Sequence, residues 1–149
     1  MNVSTPIFEE RLLPSRSVLF ALVLSGPMVL LAALPFGTPL ASTLAILVPV
    51  ALVAGAVLLS PAITIDDDLK CGRFKIPLSA VSGAEGFSGE EARLQRGPQL
   101  DARARLAIRG DIDSVVKVVL ADPLDPTPYV LVSTRRPEKL VAALSANRS

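Results

Sequence analysis

The sequence predicts an α+β protein: an N-terminal transmembrane α-helical hairpin followed by a small antiparallel β domain with a C-terminal helix. Three observations predict it. No charged residue occurs from position 17 to position 65, although the chain carries 15 Lys/Arg and 14 Asp/Glu. Prolines and a glycine interrupt that apolar block near its middle, in Leu34-Pro35-Phe36-Gly37-Thr38-Pro39-Leu40. Beyond residue 60 the apolar period changes from helical to two, the mark of half-buried strands. The expected organisation is a cytoplasmic N-terminal segment at 1–16, a two-helix transmembrane hairpin at 17–60 and a cytoplasmic domain at 61–149.

The hairpin comes first. A water-soluble helix of this length needs ionisable side chains on its wet face. A long uncharged run of Leu, Val, Ala and Ile therefore points to lipid as its solvent. The break leaves spans at 17–34 and 40–60, about 27 and about 31 Å long at ~1.5 Å per residue, against a hydrocarbon core of ~30 Å. The turn has no Lys or Arg, whereas Arg11 and Arg16 precede the first span and Lys70, Arg73 and Lys75 follow the second. Cationic flanks favour the cytoplasmic side, so both termini are expected there, in a multi-pass protein of the plasma membrane. Glu9 and Glu10 in the leader, and a second span at once, argue against a cleaved signal peptide.

Pro27 and Pro49 fall mid-span. With no ionisable group beside them they read as kinks absorbed by helix packing rather than as an ion path. Ala41, Ala45, Ala51 and Gly55 put small residues on the second span, the composition of a close helix contact with span one or with another protein.

The β domain follows. A strand at 63–65 leads through Asp66-Asp67-Asp68, which reads as a solvated turn rather than a cation site. Phe74, Ile76 and Leu78 then face one way and Arg73 and Lys75 the other, with Pro77 marking a sheet edge or strand end. Ala104, Leu106 and Ile108 alternate with Arg103, Arg105 and Arg109, which places three arginines on one strand face opposite a buried Leu106 and Ile108. Val116, Val118 and Leu120 alternate around Lys117, and 129–133 is a further strand. Ser88-Gly89-Glu90-Glu91 reads as a capping box and Gly97-Pro98 as a stop, giving a short helix at 89–96. Pro137 opens a terminal helix with Leu140, Val141 and Leu144 on one face. Between strands, Asp122-Pro123-Leu124-Asp125-Pro126-Thr127-Pro128 is a stiff connection.

Composition narrows the function. Residues 62–149 hold 13 basic and 12 acidic side chains, too balanced for a nucleic-acid-binding domain. The chain has no histidine and one cysteine, Cys71, which removes the commonest general base and metal ligand and any internal disulfide. Asp111 and Asp113 lack the glycine and terminal glutamate of a calcium loop. No catalytic, cofactor-binding or metal-ligating set emerges, and the protein is expected not to be an enzyme. The best candidate surface is basic: Arg93, Arg96, Arg103, Arg105 and Arg109, with Asp101 as the acid among them. Such a face is solvated, or meets a protein, or pairs with anionic lipid head groups.

Phe8-x-Glu10-Arg11-Leu12-x-Pro14, a two-span hairpin, and Asp125-Pro126-Thr127-Pro128-Tyr129-x-Leu131-x-Ser133-Thr134-Arg135-Arg136-Pro137-Glu138-x-Leu140 together resemble an actinobacterial family of two-span membrane proteins of unknown function. Arg96-Gly97-Pro98 and Asp101-x-Arg103 fit the same pattern. The strands-then-helix ending also resembles bacterial pleckstrin-homology-like domains. The resemblance implies no activity, catalytic residue or cofactor. The expected role is an accessory or assembly subunit of a larger respiratory, secretory or envelope complex, in contact with the bilayer and with other subunits or its own copies. The alternative is a membrane-anchored module reading anionic head groups through the arginines, with a transporter or channel third.

Overall fold

The computed structural model describes residues 7–147. They form two compact units, one of Leu13–Ser60 and one joining the residues up to Leu12 to those from Pro61 onward.

The first unit is helical. Helix α1 (Arg16–Val23) and helix α2 (Ser25–Ala33) are separated at Leu24, and a 3-10 turn at Leu34–Phe36 leads into α3 (Thr38–Leu58). The interruption at Leu24 follows from Pro27, whose missing N–H leaves the preceding turn without a ladder bond. The Ser25 hydroxyl donates to the Leu22 carbonyl at 2.6 Å within the same turn. Pro49 lies inside α3 without ending it. Arg16–Phe36 and Thr38–Leu58 are two stretches of 21 residues, each long and apolar enough to cross a membrane. Only 11% of each stretch is buried, so the apolar side chains line the outside of this unit rather than a core.

The helices meet through small residues, but not the expected set. Ala41 is fully buried and Ala45 half-buried, whereas Ala51 is exposed and a side chain on Gly55 would meet nothing. The spacing explains Ala51. Ten residues at ~100° each carry Ala51 away from the face that holds Ala41. The close approach comes instead from Gly26, where a Cβ would lie 2.9 Å from the Ala45 carbonyl oxygen and 3.5 Å from Pro49. Pro49 has no N–H to give Ala45, so the kink and the close packing occur together.

The second unit holds two four-stranded sheets. In the first, β1 (Phe8–Arg11), β2 (Ala62–Ile65), β3 (Asp68–Cys71) and β4 (Phe74–Pro77) run antiparallel in chain order. Strand β1 precedes the helical unit and β2 follows it, yet they pair directly, Phe8 opposite Ile65 and Arg11 opposite Ala62. The boundary expected at residue 16 therefore moves. The described residues through Leu12 belong to the β unit, and the helical hairpin is an insertion between two paired strands. Asp66 and Asp67 make the turn, with Asp66 bonded to Lys70 and Asp68 to Lys75, both at 2.9 Å.

The second sheet has the order β5-β7-β8-β6, from β5 (Val81–Phe87), β6 (Arg105–Ala107), β7 (Val115–Leu120) and β8 (Tyr129–Ser133). Here β6 runs parallel to β8, a departure from the all-antiparallel expectation. Helix α4 (Gly89–Arg96) lies between β5 and β6 and carries the chain from one edge of this sheet to the other, while β6 reaches its parallel neighbour β8 by way of β7. Its N-cap Ser88 makes no capping bond and its hydroxyl reaches Ser114 at 3.4 Å instead. Helix α5 (Pro137–Ala146) buries Leu140 and Leu144 against the same core as Ile63, Leu69, Val118 and Val130. Val115, Tyr129 and Leu131 point to the other side, packed with Ala92 of α4. Strand β8 is thus covered on both faces, which is why its run is apolar without alternation.

Candidate functional site

The conspicuous polar feature of the β unit is a clasp around Glu10. This residue lies on the inward row of β1 with Phe8 and Leu12 and is 8% exposed. Its Oε1 accepts the Arg135 backbone N–H at 2.9 Å, and its Oε2 accepts the Thr134 hydroxyl. Thr134 Oγ1 in turn accepts the Arg136 N–H at 3.0 Å, so the end of β8 and the start of α5 are organised by one carboxylate. A buried charge is tolerable when its lone pairs are filled by donors, and here both oxygens are.

Arg109 forms the second half. Its Nε donates to Asp111 at 2.9 Å, its Nη1 donates to the Leu12 carbonyl at 2.7 Å, and its backbone N–H donates to Ser133 Oγ at 2.9 Å. Arg135 stands 3.9 Å from the same Asp111 carboxylate. Two stretches at opposite ends of the chain, Phe8 to Leu12 and Ser133 to Pro137, are therefore parts of one network. With every acceptor occupied by the protein itself, its chemistry is structural: it closes the strand pair from which the hairpin departs.

The other arginines do not form the expected face. Strand β6 spans only Arg105–Ala107, Arg103 lies in the turn before it, and Leu106 and Ile108 are each 39% exposed rather than buried. Ala104 and Ala107 face the core in their place. The alternation is too short to choose a side, because parallel pairing with one neighbour leaves β6 at a sheet edge. Arg103 bonds Asp101, and its side chain and backbone N–H hold that carboxyl below the ordinary range. Arg105 pairs with Asp125 at 2.9 Å; Thr127 bonds the same carboxylate, and together they hold it low. Arg96 donates to the carbonyls of Ala92, Ile112 and Asp113 at 3.3, 3.1 and 2.7 Å, tying α4 to the loop before β7. Arg93 lies 3.9 Å from Glu90 on an open surface. Asp111, two residues on from Arg109, and Asp125, 20 residues on from Arg105, neutralise arginines that look unopposed along the chain.

The family model described as protein of unknown function (DUF3093) matches residues 7–144. The chain belongs to this family. No curated protein and no solved structure matches it. The DUF3093 match takes in both halves of the Glu10 clasp, the hairpin and most of α5.

One further feature of this DUF3093 chain lies close by. A cavity of about 190 Å³ opens between the β2 side of the first sheet, the β3–β4 turn and the Leu106 to Arg109 segment. Cys71 lines it and is 1% exposed; burial pushes its thiol up to about 12, so it stays neutral and unreactive. Among the described residues no group of three His, Cys, Asp or Glu is placed to hold a metal ion.

Proposed function

We propose that the protein is a non-catalytic two-span membrane protein whose β domain and termini lie in the cytoplasm, and that it serves as an accessory or assembly subunit of a larger complex of the plasma membrane. The observation that carries this reading is the insertion of the apolar hairpin between β1 and β2, with Leu12 N–H bonded to the Pro61 carbonyl at 3.0 Å. The chain enters and leaves the hairpin at one strand pair, so the domain is tethered to the membrane twice, within reach of neighbouring subunits. The cationic flanks Arg11, Arg16, Lys70, Arg73 and Lys75 support the cytoplasmic side. The four-strand meander, second sheet and terminal helix support a pleckstrin-homology-like reading, with the α4–β6 crossover as the departure from it.

The non-catalytic reading draws on the absence of histidine from the sequence and, at the cavity beside Cys71, on a neutral thiol with no carboxylate in the lining. Head-group binding by the arginine cluster draws less support, since Arg96, Arg103, Arg105 and Arg109 are already engaged by carbonyls or acids.

The test has two parts. Cys71 is too buried to report sidedness, so topology needs Leu124→Cys in a Cys71→Ala background, Leu124 being 93% exposed at a loop tip. Labelling of that cysteine from outside intact cells by an impermeant reagent would overturn the orientation. Purification in mild detergent should then yield stoichiometric membrane subunits or a homo-oligomer. A monodisperse monomer would overturn the assembly role.

A further inference from the structure

The cavity of about 190 Å³ has a composition that the clasp does not use. Its walls are apolar, from Leu12, Ile63, Phe74, Leu106, Ile108 and Val132, with the neutral Cys71 thiol among them. Leu106 and Ile108 stay 39% exposed, so the fold leaves apolar surface open to an occupant instead of closing over it. At the rim, the two-residue turn between β3 and β4 presents Gly72, at φ 58°, and the exposed Arg73. Arg73 differs from Arg103, Arg105 and Arg109: among the described residues it has no salt-bridge or side-chain hydrogen-bond partner. An apolar hollow with one unneutralised cation at its mouth is complementary to an amphiphile with an anionic head.

We propose that this cavity takes the end of an acyl chain of an anionic membrane phospholipid, with Arg73 pairing to its phosphate. The inference rests on the membrane reading above. Leu12 and Pro61 line the cavity, and the chain passes directly from each into the apolar hairpin of Leu13–Ser60. With that hairpin in a bilayer, lipid is the apolar molecule at the highest local concentration. Size agrees. An apolar cavity of about 150 Å³ accepts benzene, so this one accepts roughly the last six to eight carbons of a chain. A guanidinium near an anionic surface is worth about a five-fold preference for anionic over zwitterionic lipid.

The chain contains no tryptophan, so introduced tryptophans act as single reporters. The full chain is reconstituted in phosphatidylcholine vesicles containing brominated phosphatidylglycerol or, at the same fraction, brominated phosphatidylcholine. Leu106→Trp, and separately Ile108→Trp, report the cavity; slow labelling of Cys71 shows that each variant is folded. Ile46→Trp, on an outward position of α3, reports whether the hairpin is in the bilayer, and Leu124→Trp reports an exposed loop residue that does not line the cavity. The expected result is quenching of Ile46→Trp by both lipids, none of Leu124→Trp, and quenching of the cavity reporters about five-fold stronger with the glycerol lipid. Arg73→Glu should abolish that preference. Quenching at Ile46→Trp with none, or with no lipid preference, at both cavity positions overturns the inference and leaves the membrane reading standing; a cavity occupied by a peptide segment gives the former pattern. Absence of quenching at Ile46→Trp overturns the membrane reading and this inference with it. A preference that survives Arg73→Glu overturns the role of Arg73.

Discussion

Removing the Glu10 carboxylate should release the strand pair that carries the hairpin. In Glu10→Ala the Thr134 hydroxyl and the Arg135 N–H both lose their acceptor in a site where Glu10 is 8% exposed. Hydrogen bonds to a charged group contribute about 1.5–3 kcal/mol each, and water reaching the vacated space restores part of that. A net loss of about 3 kcal/mol follows, or about a hundred-fold in the population of opened domain. Glu10→Gln keeps one acceptor but turns an amide N–H₂ toward one of the two donors. Its cost should be about 1–2 kcal/mol, or about ten-fold. The assay is built into the chain. Cys71 lies on β3, which pairs with β2, and the unreacted thiol is 1% exposed. Under conditions where closing outpaces labelling, its reaction rate with a maleimide reports the opening equilibrium. The expected order is Glu10→Ala fastest, Glu10→Gln intermediate and the unchanged protein slowest. Equal rates for all three would show that the carboxylate does not hold β1 in place; equal, faster rates for the two variants would show that an amide cannot replace it.

Other substitutions separate structure from surface. Gly26→Val should disrupt packing of α2 on α3, because even a Cβ falls 2.9 Å from the Ala45 carbonyl, whereas Gly55→Ala should leave it intact; cross-linking between cysteines placed on the two helices reads the difference. Arg96→Ala should cost about 1–2 kcal/mol by removing its bonds to the Ile112 and Asp113 carbonyls, while Arg103→Ala, on an open surface, should leave denaturant unfolding unchanged. Leu106→Asp should leave the domain folded, since this side chain is 39% exposed; circular dichroism checks it. For alkaline pH the sign follows from Cys71, whose folded pKa of about 12 stands above the ordinary 9.0. The stability it contributes is fully present below 9.0 and is lost as pH rises toward 12, so Cys71→Ala should flatten the alkaline stability profile over that window.

The elements that the sequence shows best are those with clear end signals, such as Ser88 and Gly97-Pro98 around a helix, or an unbroken apolar run. Helix α4 at Gly89–Arg96 and strand β8 at Tyr129–Ser133 match the reading residue for residue. Strands β1, β3 and β5 were hidden for separate reasons. The inward row of β1 contains a carboxylate, β3 opens on an aspartate cluster, and β5 carries Gly83 and Gly86, which are depleted in strands. In each case the local pattern argues for a turn or loop, and pairing with a distant strand overrules it. The arginine face failed for a related reason. A strand three residues long at a sheet edge has no strong inside, so alternation alone cannot say which row is buried.

The sequence by itself determined the two apolar helices, the turn between them and the α+β character of the remainder, because hydrophobic length and period are local properties of the chain. Only the tertiary structure decided that the hairpin interrupts a strand pair, that Glu10 meets Thr134 and Arg135, and that Asp125 neutralises Arg105. Those contacts join residues up to 125 positions apart. Their energy resides in paired polar groups whose partners no window of sequence contains.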